Sequence, residues 1–508
     1  MSENDPLLPF GEYRPDVSDY EQSYTDELLN VLPRSDGYGP FPSFTGLASS
    51  LGTPAFSNGF SNGFSIGEAT ACRGFFRAIN TDGSVTTFMG TSERLYKLDA
   101  TSFTWTDVSK GGVAYTALSS TDNWQFVQYI NDVIAVQANV APQVYSLTSP
   151  ATFVDLTGSP PQSRYISVVG DFVVLSGQVS NPYRVQWSAL GDPTGWTAGV
   201  NSSDFQDLPD GGIVRGVAGG EYGNIFQDTM IRRMIYAPGS DVIFQIERIT
   251  EDLGIYAPYS LTRSGNLIFW VAAQGFMKMV PTGYPEPIGK ERIDRTLLAG
   301  IDNNNLQLCI GASDPRNHRI FLAYKSAASS AAGQFDKILC YDYALDRFTP
   351  VEINGQYIGS ISQPGVTLEN LDSINSSIDG LPSSLDSFSQ ATLPQLAMFD
   401  ATGALGFLRG TPLEAVITTA ALAKPGRLVF VRALRPASDA PIVYGSVGKR
   451  LRLTDTETFT TETVMDATGN CPQRASTRYA RGKLRIPAGT SWTFALGVEP
   501  DVSLEGAR

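Results

Sequence analysis

The feature that most constrains the fold of this chain is a strand-and-turn unit that recurs between residues 70 and 350. A turn residue followed by an apolar strand marks the units: NDVIAV at Asn131, GDFVVL at Gly170, GNIFQ at Gly223, GNLIFW at Gly265 and RNHRIFLAY at Arg316. A second strand follows each marker, and the units recur roughly every 40 to 50 residues, the period typical of propeller blades. The region contains no long amphipathic helical pattern. The sequence therefore predicts an all-β repeat fold.

Several units have a third feature: they end in a short polar strand that contains an aromatic side chain. These aromatic residues are Trp105, Phe153, Trp196, Phe244 and Phe348. With TTFMGTSERLYKLDATSFTWTDV as the first unit, the sequence contains six units, and the last ends near Val351. We therefore predict a β-propeller-like domain of about six blades over residues 61–360. An array of β-sandwiches is the alternative architecture for the same strands.

The two terminal regions differ from the repeats. Residues 1–60 are rich in Pro, Gly and Tyr, which predicts an extended N-terminal docking arm, with a helical turn or two in TDELLNVL. Short strands return over residues 398–508, which predicts an additional C-terminal β-sandwich-like domain.

Residues 361–397 form a Ser-rich insert in which apolar residues recur at spacings of three and four. These residues are Leu371, Ile374, Ile378, Leu381, Leu385 and Phe388. The spacing is typical of a coiled coil, but Gly380 and Pro382 interrupt it, and an interior Pro costs a helix about 3 kcal/mol. We therefore expect a projecting insert whose apolar side meets a neighbour, and not a long helix.

Charge and cysteine content exclude several classes of function. The chain has 37 Lys and Arg against 51 Asp and Glu, a net charge of −14, which disfavours tight binding of nucleic acid. The sequence shows neither a membrane-spanning apolar stretch nor the pattern of a signal peptide, so we expect folding in the cytoplasm without stable membrane insertion. Four cysteines, Cys72, Cys309, Cys340 and Cys471, lie far apart, which predicts buried free thiols and no disulfide framework or zinc cluster.

Few residues qualify for a reactive site. His318 is the only histidine, and it lies in the charged turn DPRNHRIF, where a solvated turn residue is expected. Asp204, Asp207 and Asp210 precede two glycines, but their spacing departs from a calcium loop, which favours an Asp-rich turn over a metal site. The stretch SALGDPTGW, ending at Trp196, has the residues of a tight turn between strands.

A glycan-hydrolysing propeller would need carboxylates that converge on the central channel. The candidates are Asp207, Asp210, Glu221, Glu247 and Glu251. The pair Arg232 and Arg233 lies in a strand, where one side chain faces outward, so a solvent or subunit contact is expected. No residue carries a catalytic, cofactor-binding or metal-binding assignment, and we expect a protein that is not an enzyme and has no cofactor.

Several phrases, read in order, resemble the tail nozzle or hub proteins of short-tailed double-stranded DNA bacteriophages, a group that includes packaged-DNA stabilisation proteins and tubular tail protein B. The phrases include LPFGEYRPD, VQWSALGDPTGWTAG, DFQDLPDGGIVRGVAGGEYGNIFQDTMIRRMIYAP, PIGKERIDR, YDYALDRFTPV and GNCPQRASTRYARGKLRIPAGTSWTFALGVE. The resemblance extends over nearly the whole chain.

The resemblance implies a structural protein of the virion tail, present as a homohexameric ring below the portal and adaptor and assembled in the host cytoplasm. The closed ring retains packaged DNA and opens for ejection. The implied partners are adaptor and portal-side proteins, tail fibre, tailspike or needle proteins, and double-stranded DNA that passes without sequence-specific binding. The N-terminal arm and the apolar side of the insert are then expected to contact neighbouring subunits. The alternative is a carbohydrate-binding or carbohydrate-hydrolysing propeller of a receptor-binding tail component.

The acidic balance suggests that a ring would retain DNA by steric closure. Six chains would carry six times −14, or −84 formal charges, so little counterion release would accompany DNA contact. The insert is one candidate for the constriction, and the turns around residues 201–222 are another. Deleting residues 368–388 is expected to give particles that lose their DNA, measured as the fraction of full heads. Particles that assemble and keep a full genome would contradict the first candidate.

Overall fold

The computed structural model describes residues 7–17, 24–46, 71–99, 105–149, 151–240, 242–362, 394–423 and 427–505. Within these ranges the chain is almost entirely β-structure. It has one α-helix, Asp294–Gly300, and three 3-10 turns, Lys110–Gly112, Pro209–Gly211 and Leu306–Leu308. No helix in the described ranges is long and apolar enough to cross a membrane.

Five four-stranded antiparallel sheets form the first part of a propeller. Blade 1 consists of Phe75–Ile79, Val85–Gly90, Leu95–Leu98 and Trp105–Asp107, and blade 2 of Gln125–Tyr129, Asp132–Gln137, Val140–Ser146 and Val154–Asp155. Blade 3 consists of Ser163–Val169, Phe172–Gln178, Arg184–Trp187 and Asp204–Asp207, and blade 4 of Val214–Ala218, Gly223–Gln227, Ile231–Tyr236 and Phe244–Thr250. Blade 5 consists of Ala257–Ser264, Leu267–Ala272, Gly275–Met279 and Glu286–Pro287.

The sixth sheet has seven strands because one long strand serves two blades. In order across the sheet, the strands are Ile310–Asp314, Arg319–Tyr324, Phe335–Asp342, Arg347–Ser362, Pro394–Asp400, Leu405–Pro412 and Pro42–Gly46. Residues 347–355 of the long strand pair with Phe335–Asp342, and residues 355–362 pair with Pro394–Asp400. The strand is therefore the fourth strand of blade 6 and then the first strand of a blade 7.

The seven blades form a closed ring. Each first strand contacts the first strands of the two neighbouring blades, and residues 355–362 contact Phe75–Ile79 to close the circle. Seven apolar clusters fill the seven interfaces between consecutive blades. The all-β, propeller-like prediction is confirmed, and the six predicted units are all present. The seventh blade was not anticipated, because its strands come from both sides of the insert and from the N-terminal region.

The predicted closing aromatics explain how neighbouring blades adhere. All five are buried: Trp105, Phe153, Trp196, Phe244 and Phe348. Four of them lie on or next to the fourth strand of their blade, and Trp196 lies in the loop between the third and fourth strands of blade 3. Each packs into the cluster shared with the preceding blade. A buried aromatic ring removes a large apolar area from water, so these residues are major contributors to the interfaces between blades.

The C-terminal region forms a two-sheet sandwich, as predicted. One sheet contains Cys471–Thr477, Leu428–Ser438, Ala495–Glu505, Tyr38–Pro40, Val31–Pro33 and Leu8–Pro9. The other contains Thr458–Phe459, Tyr444–Arg450, Tyr479–Ile486, Ala415–Thr418, Leu28–Leu29, Leu422–Ala423 and Thr463–Val464. One apolar core lies between the two sheets and includes side chains from the N-terminal arm.

The described part of the N-terminal arm docks on its own chain, whereas the sequence analysis expected it to contact a neighbouring subunit. It supplies strands to both sheets of the sandwich and the last strand of blade 7. The helical turn expected in TDELLNVL is wrong, because this stretch contains strands Leu28–Leu29 and Val31–Pro33. Between them, Asn30 has a φ of 55° and its side chain bonds the Glu414 carbonyl and the Glu352 amide.

The predicted domain limits at residues 360 and 398 fall inside strands Arg347–Ser362 and Pro394–Asp400, which pair with each other in blade 7. The apolar residues that defined the insert lie outside the described residues. These are Leu371, Ile374, Ile378, Leu381, Leu385 and Phe388. The described residues on either side, Ser362 and Pro394, are paired with each other.

A buried carboxyl group begins the only α-helix in the described ranges. Asp294 Oδ1 accepts a hydrogen bond of 2.9 Å from the Phe276 amide, which joins the helix to blade 5. Burial raises the pKa of Asp294 to about 6 from its ordinary 3.8. A carboxyl with a raised pKa favours the folded state while it is protonated. Its contribution is therefore fully present below about pH 4 and is lost as the pH rises through about 6.

We predict that the free energy of unfolding of Asp294→Asn, measured relative to that of the wild type, increases as the pH rises from 4 to 8. The amide keeps an acceptor for Phe276 but never ionises, so the expected gain at pH 8 is of the order of 1–2 kcal/mol. Urea unfolding at several pH values measures the difference. Asp302→Asn is the control. Hydrogen bonds from Lys325 and from nearby groups lower the pKa of Asp302 to about 2, so this carboxylate stays ionised above pH 5. The free energy of unfolding that Asp302→Asn loses relative to the wild type should therefore be constant above pH 5. A constant difference for Asp294→Asn would contradict the prediction.

Candidate functional site

Four of the five carboxylates considered for glycan hydrolysis lie on or directly after fourth strands, away from the strands that surround the central channel. Asp204 and Asp207 are on the fourth strand of blade 3, and Asp210 lies in the 3-10 turn that follows. Glu247 is on the fourth strand of blade 4, Glu251 comes directly after this strand, and Glu221 lies between the first two strands of the blade. Because fourth strands form the outer edge of a propeller, the structure separates these carboxylates from Glu221 and does not bring the five together at the channel.

Arginine side chains pair with three of these carboxylates, Asp207, Asp210 and Glu251, and the first two pairs are the closest. Arg184 binds Asp207 through two hydrogen bonds of 2.7 and 2.9 Å, and these bonds lower the pKa of Asp207. Asp210 lies 2.5 Å from Arg232 and 2.7 Å from Arg248, and the hydrogen bond from Arg232 lowers its pKa. Carboxylates held ionised in this way are suited to joining strands and poorly suited to donating a proton. The described residues contain no cluster of acidic, His and Cys side chains able to hold a metal ion.

The Arg232 and Arg233 pair has an internal role, which corrects the expected solvent or subunit contact. Arg232 is buried and bonds Gln227 Oε1 at 2.9 Å as well as Asp210. Arg233 donates to the carbonyl groups of Pro281 and Gly283 at 2.9 and 3.0 Å, which ties blade 4 to blade 5. Both guanidinium groups therefore bind groups of the same chain.

The remaining sequence candidates take the structural roles predicted for them. The four cysteines are free and buried. His318 lies in an exposed turn, with Nδ1 3.2 Å from the Tyr343 hydroxyl. In SALGDPTGW, Asp192 Oδ1 accepts hydrogen bonds from the amide and hydroxyl of Thr194, and Trp196 Nε1 donates to the Pro193 carbonyl. The stretch is a turn that anchors Trp196 between blades 2 and 3.

A network centred on Arg292 joins three distant parts of the chain. Arg292 bonds Glu12 of the N-terminal arm through Nε at 2.8 Å and also through Nη2. It bonds Asp346 Oδ1 at 3.0 Å and lies 4.9 Å from the centre of the Phe348 ring. Next to it, Asp16 accepts hydrogen bonds from the amides of Arg295 and Thr296 at the start of the helix. The network fixes the arm to blades 5 and 6.

A polar cleft occupies one mouth of the central channel and has a volume of about 660 Å³. Its walls come from the segments that lead into the first strands of blades 2 to 6 and from the turns after the second strands of blades 3 to 5. Antiparallel order places all of these segments at the same end of the propeller. The charged lining residues are Asp122, Arg164, Arg215 and Asp228.

Ion pairs and buried tyrosines organise the cleft. Arg215 bonds Asp228 at 2.7 Å, and Arg164 Nε lies 3.4 Å from Asp122 Oδ2. The Tyr259 hydroxyl accepts the Asn123 amide at 2.9 Å, and burial raises its pKa well above the usual value. Burial likewise raises the pKa of Tyr165 to about 12. Both phenols therefore stay neutral and can act as hydrogen-bonding groups at physiological pH.

Sequence analysis did not find this cleft, because five blades contribute to it and no local pattern connects them. In the sequence, Arg164 and Arg215 share only one feature that could indicate their place in the cleft. Each is the second residue of a first strand in an otherwise apolar or small-residue context. That signal becomes informative only once the ring of first strands is known.

Comparison with known proteins gives no family. No family model matches the chain, and no curated protein matches it. Among solved structures, the extracellular domain of a hybrid two-component system from B. thetaiotaomicron is 12% identical, with a TM-score of 0.41 over 77% of this chain. The chain spans 41% of that structure. A quinonprotein alcohol dehydrogenase-like protein from Bacteroides thetaiotaomicron is 11% identical, with a TM-score of 0.34 over 61% of this chain and 75% of its own. These similarities are too low to add an argument, and the propeller description rests on the pairing of the chain's own strands.

We predict that Arg292→Ala loosens the N-terminal arm. The substitution removes one of the two guanidinium partners of the largely buried Glu12, which keeps its ion pair with Arg14, and the loss of the bonds from Arg292 is expected to cost about 2 kcal/mol. Urea unfolding measures the loss, and limited proteolysis should cut the arm faster. Arg184→Ala is the control, because its ion pair with Asp207 at the rim is partly exposed and should contribute at most about 1 kcal/mol. Equal effects of the two substitutions would contradict a special role for Arg292.

Proposed function

We propose that this chain is a structural subunit of the distal nozzle, or hub, of a short phage tail. Six copies form a ring that closes the channel to retain packaged DNA and opens for ejection. The sequence resemblance suggests this role, and the Arg292 network is the structural observation that supports it. Glu12, Arg292 and Asp346 come from three of the phrases that carry the resemblance, LPFGEYRPD, PIGKERIDR and YDYALDRFTPV.

The roles of these residues favour a structural protein over an enzyme. Glu12, Arg292 and Asp346 join the arm to the propeller. Within another phrase, Asp210 and Arg232 join the 3-10 turn after blade 3 to the third strand of blade 4. Asp192 and Trp196 form a turn in a fifth phrase. Residues that carry the resemblance therefore hold separate parts of the fold together. A subunit under the pressure of packaged DNA requires such stabilising contacts.

The position of the terminal regions also suits a subunit under load. Pro42–Gly46 forms the last strand of blade 7, and Leu8–Pro9 pairs with Ala495–Glu505 in the sandwich. Tension on the described N-terminal region is therefore opposed by strand pairing in both the propeller and the sandwich. The charge of −14 keeps phosphate contacts weak, so DNA can pass with little counterion release.

In this proposal the partners are the adaptor and portal-side proteins above the ring and fibre, tailspike or needle proteins beside or below it. The ring assembles on DNA-filled heads in the host cytoplasm and performs no catalysis. Glycan hydrolysis, the alternative, receives little support, because Asp207 and Asp210 are ion-paired at the rim of the propeller.

We predict that the purified protein forms six-fold rings alone or on adaptor-bearing heads. Negative-stain electron microscopy measures the symmetry, and the fraction of heads that keep DNA measures retention. Heads supplied with the protein should keep their genome, and heads supplied with buffer should lose it. Monomers that neither form rings nor cap heads would overturn the proposal. Turnover of a glycan that is lost in Asp207→Ala would instead support the hydrolytic alternative.

A further inference from the structure

The cleft at the mouth of the channel has the form of a preformed ligand site. Its volume of about 660 Å³ lies within the range of small-molecule sites, roughly 300–1,000 Å³. Its walls belong to five blades of a closed ring, which holds them in fixed relative positions. Asn123 adds a further brace, because its side chain donates to the Gln307 carbonyl at 2.7 Å and accepts from Arg73 at 3.0 Å.

The charges of the cleft are balanced by its own side chains. Arg215 is paired with Asp228, and Arg164 with Asp122, so the four charged lining residues sum to zero. An anion would compete with these carboxylates for the arginines, and a cation would compete with the arginines for the carboxylates. A neutral polar molecule disturbs neither pair and gains hydrogen bonds from both.

The uncharged lining is rich in groups that bind hydroxyls. Four side-chain amides line the cleft, those of Gln178, Asn303, Asn304 and Gln307, and the Tyr256 hydroxyl bonds Asn303 at 2.8 Å. An amide offers donors and an acceptor within one plane, and a hydroxyl group both donates and accepts, so the two are matched. The amides and the Tyr256 hydroxyl therefore give the cleft both hydrogen-bond donors and acceptors.

Apolar and aromatic surfaces alternate with the polar groups. Tyr165 and Tyr259 pack against each other with ring centres 6.1 Å apart, and both line the cleft. Pro182, Pro258 and Ile213 supply apolar surface between the amides. A sugar ring presents hydroxyls at its edge and C–H groups on its faces, which suits a site with both kinds of surface.

We propose that this cleft binds a neutral oligosaccharide. The chemistry that recognises it combines charge-balanced Arg–Asp pairs, side-chain amides and tyrosines. The site is a binding site without turnover. It is independent of ring formation, because every lining residue belongs to one chain.

The test uses a variant that fills the cleft and leaves its polar groups in place. Ala273 is an exposed lining residue in the turn after the second strand of blade 5, so Ala273→Trp obstructs the cleft. Ala328 is exposed and lies outside the cleft lining, after the second strand of blade 6, so Ala328→Trp is the matched control. Thermal unfolding confirms that both variants fold.

Isothermal titration with neutral hexasaccharides (α-1,4-glucan, β-1,4-glucan, β-1,3-glucan and β-1,4-mannan) is compared with titration of polysialic acid and inorganic phosphate. At least one neutral hexasaccharide should bind the wild type and the Ala328→Trp control equally. The same hexasaccharide should bind Ala273→Trp at least tenfold more weakly. Binding of the anionic probes only, binding of none of the probes, or unchanged binding to a folded Ala273→Trp would each overturn the proposal. If the protein binds a neutral glycan but forms no rings, glycan binding is supported and the proposed tail function is contradicted.

Discussion

The constraint on which the rest of the structure depends is the closure of a ring of sheets. A propeller keeps the strand edges at its centre short and protected only if its blades form a complete ring. Here Arg347–Ser362 continues from blade 6 into blade 7, where it forms the first strand. Pro42–Gly46 from the N-terminal arm forms the last strand of blade 7. Hydrogen bonds between terminal and central regions therefore hold the ring shut.

Closure by an N-terminal strand also determines how the two parts of the molecule are joined. Once residues 42–46 are held in blade 7, the preceding residues of the arm pass along blade 6 toward the sandwich. Asn30 lies at this junction, where its side chain binds the Glu352 amide of the long strand and the Glu414 carbonyl beside the sandwich. The arm thus connects propeller and sandwich through hydrogen bonds, and it completes both.

The local parts of this fold could be predicted from the sequence, and the parts that depend on distant contacts could not. Turn residues and alternating strands identified six blades, and aromatic residues such as Trp196 marked the interfaces, because both signals lie within one unit. Blade 7 combines residues 42–46, 355–362 and 394–412, so no unit in the sequence represents it. The cleft escaped prediction for the same reason, and Arg232 was misassigned because Asp210, its partner, lies on a separate element.

The charge of the whole chain and the charge of the first strands of the propeller differ in sign. The first strands carry four arginines, Arg77, Arg164, Arg215 and Arg263, against one acidic residue, Asp314. These arginines are engaged within the chain: Arg164 binds Asp122, Arg215 binds Asp228 and Arg263 binds the Gly219 carbonyl, and Arg77 also has an interaction partner. Positive charge on the first strands is thus largely engaged inside the fold, which leaves the acidic excess to the remaining surfaces. A phosphate backbone that met those surfaces would displace few counterions, so retention of DNA by such a ring would depend on its shape and not on its affinity.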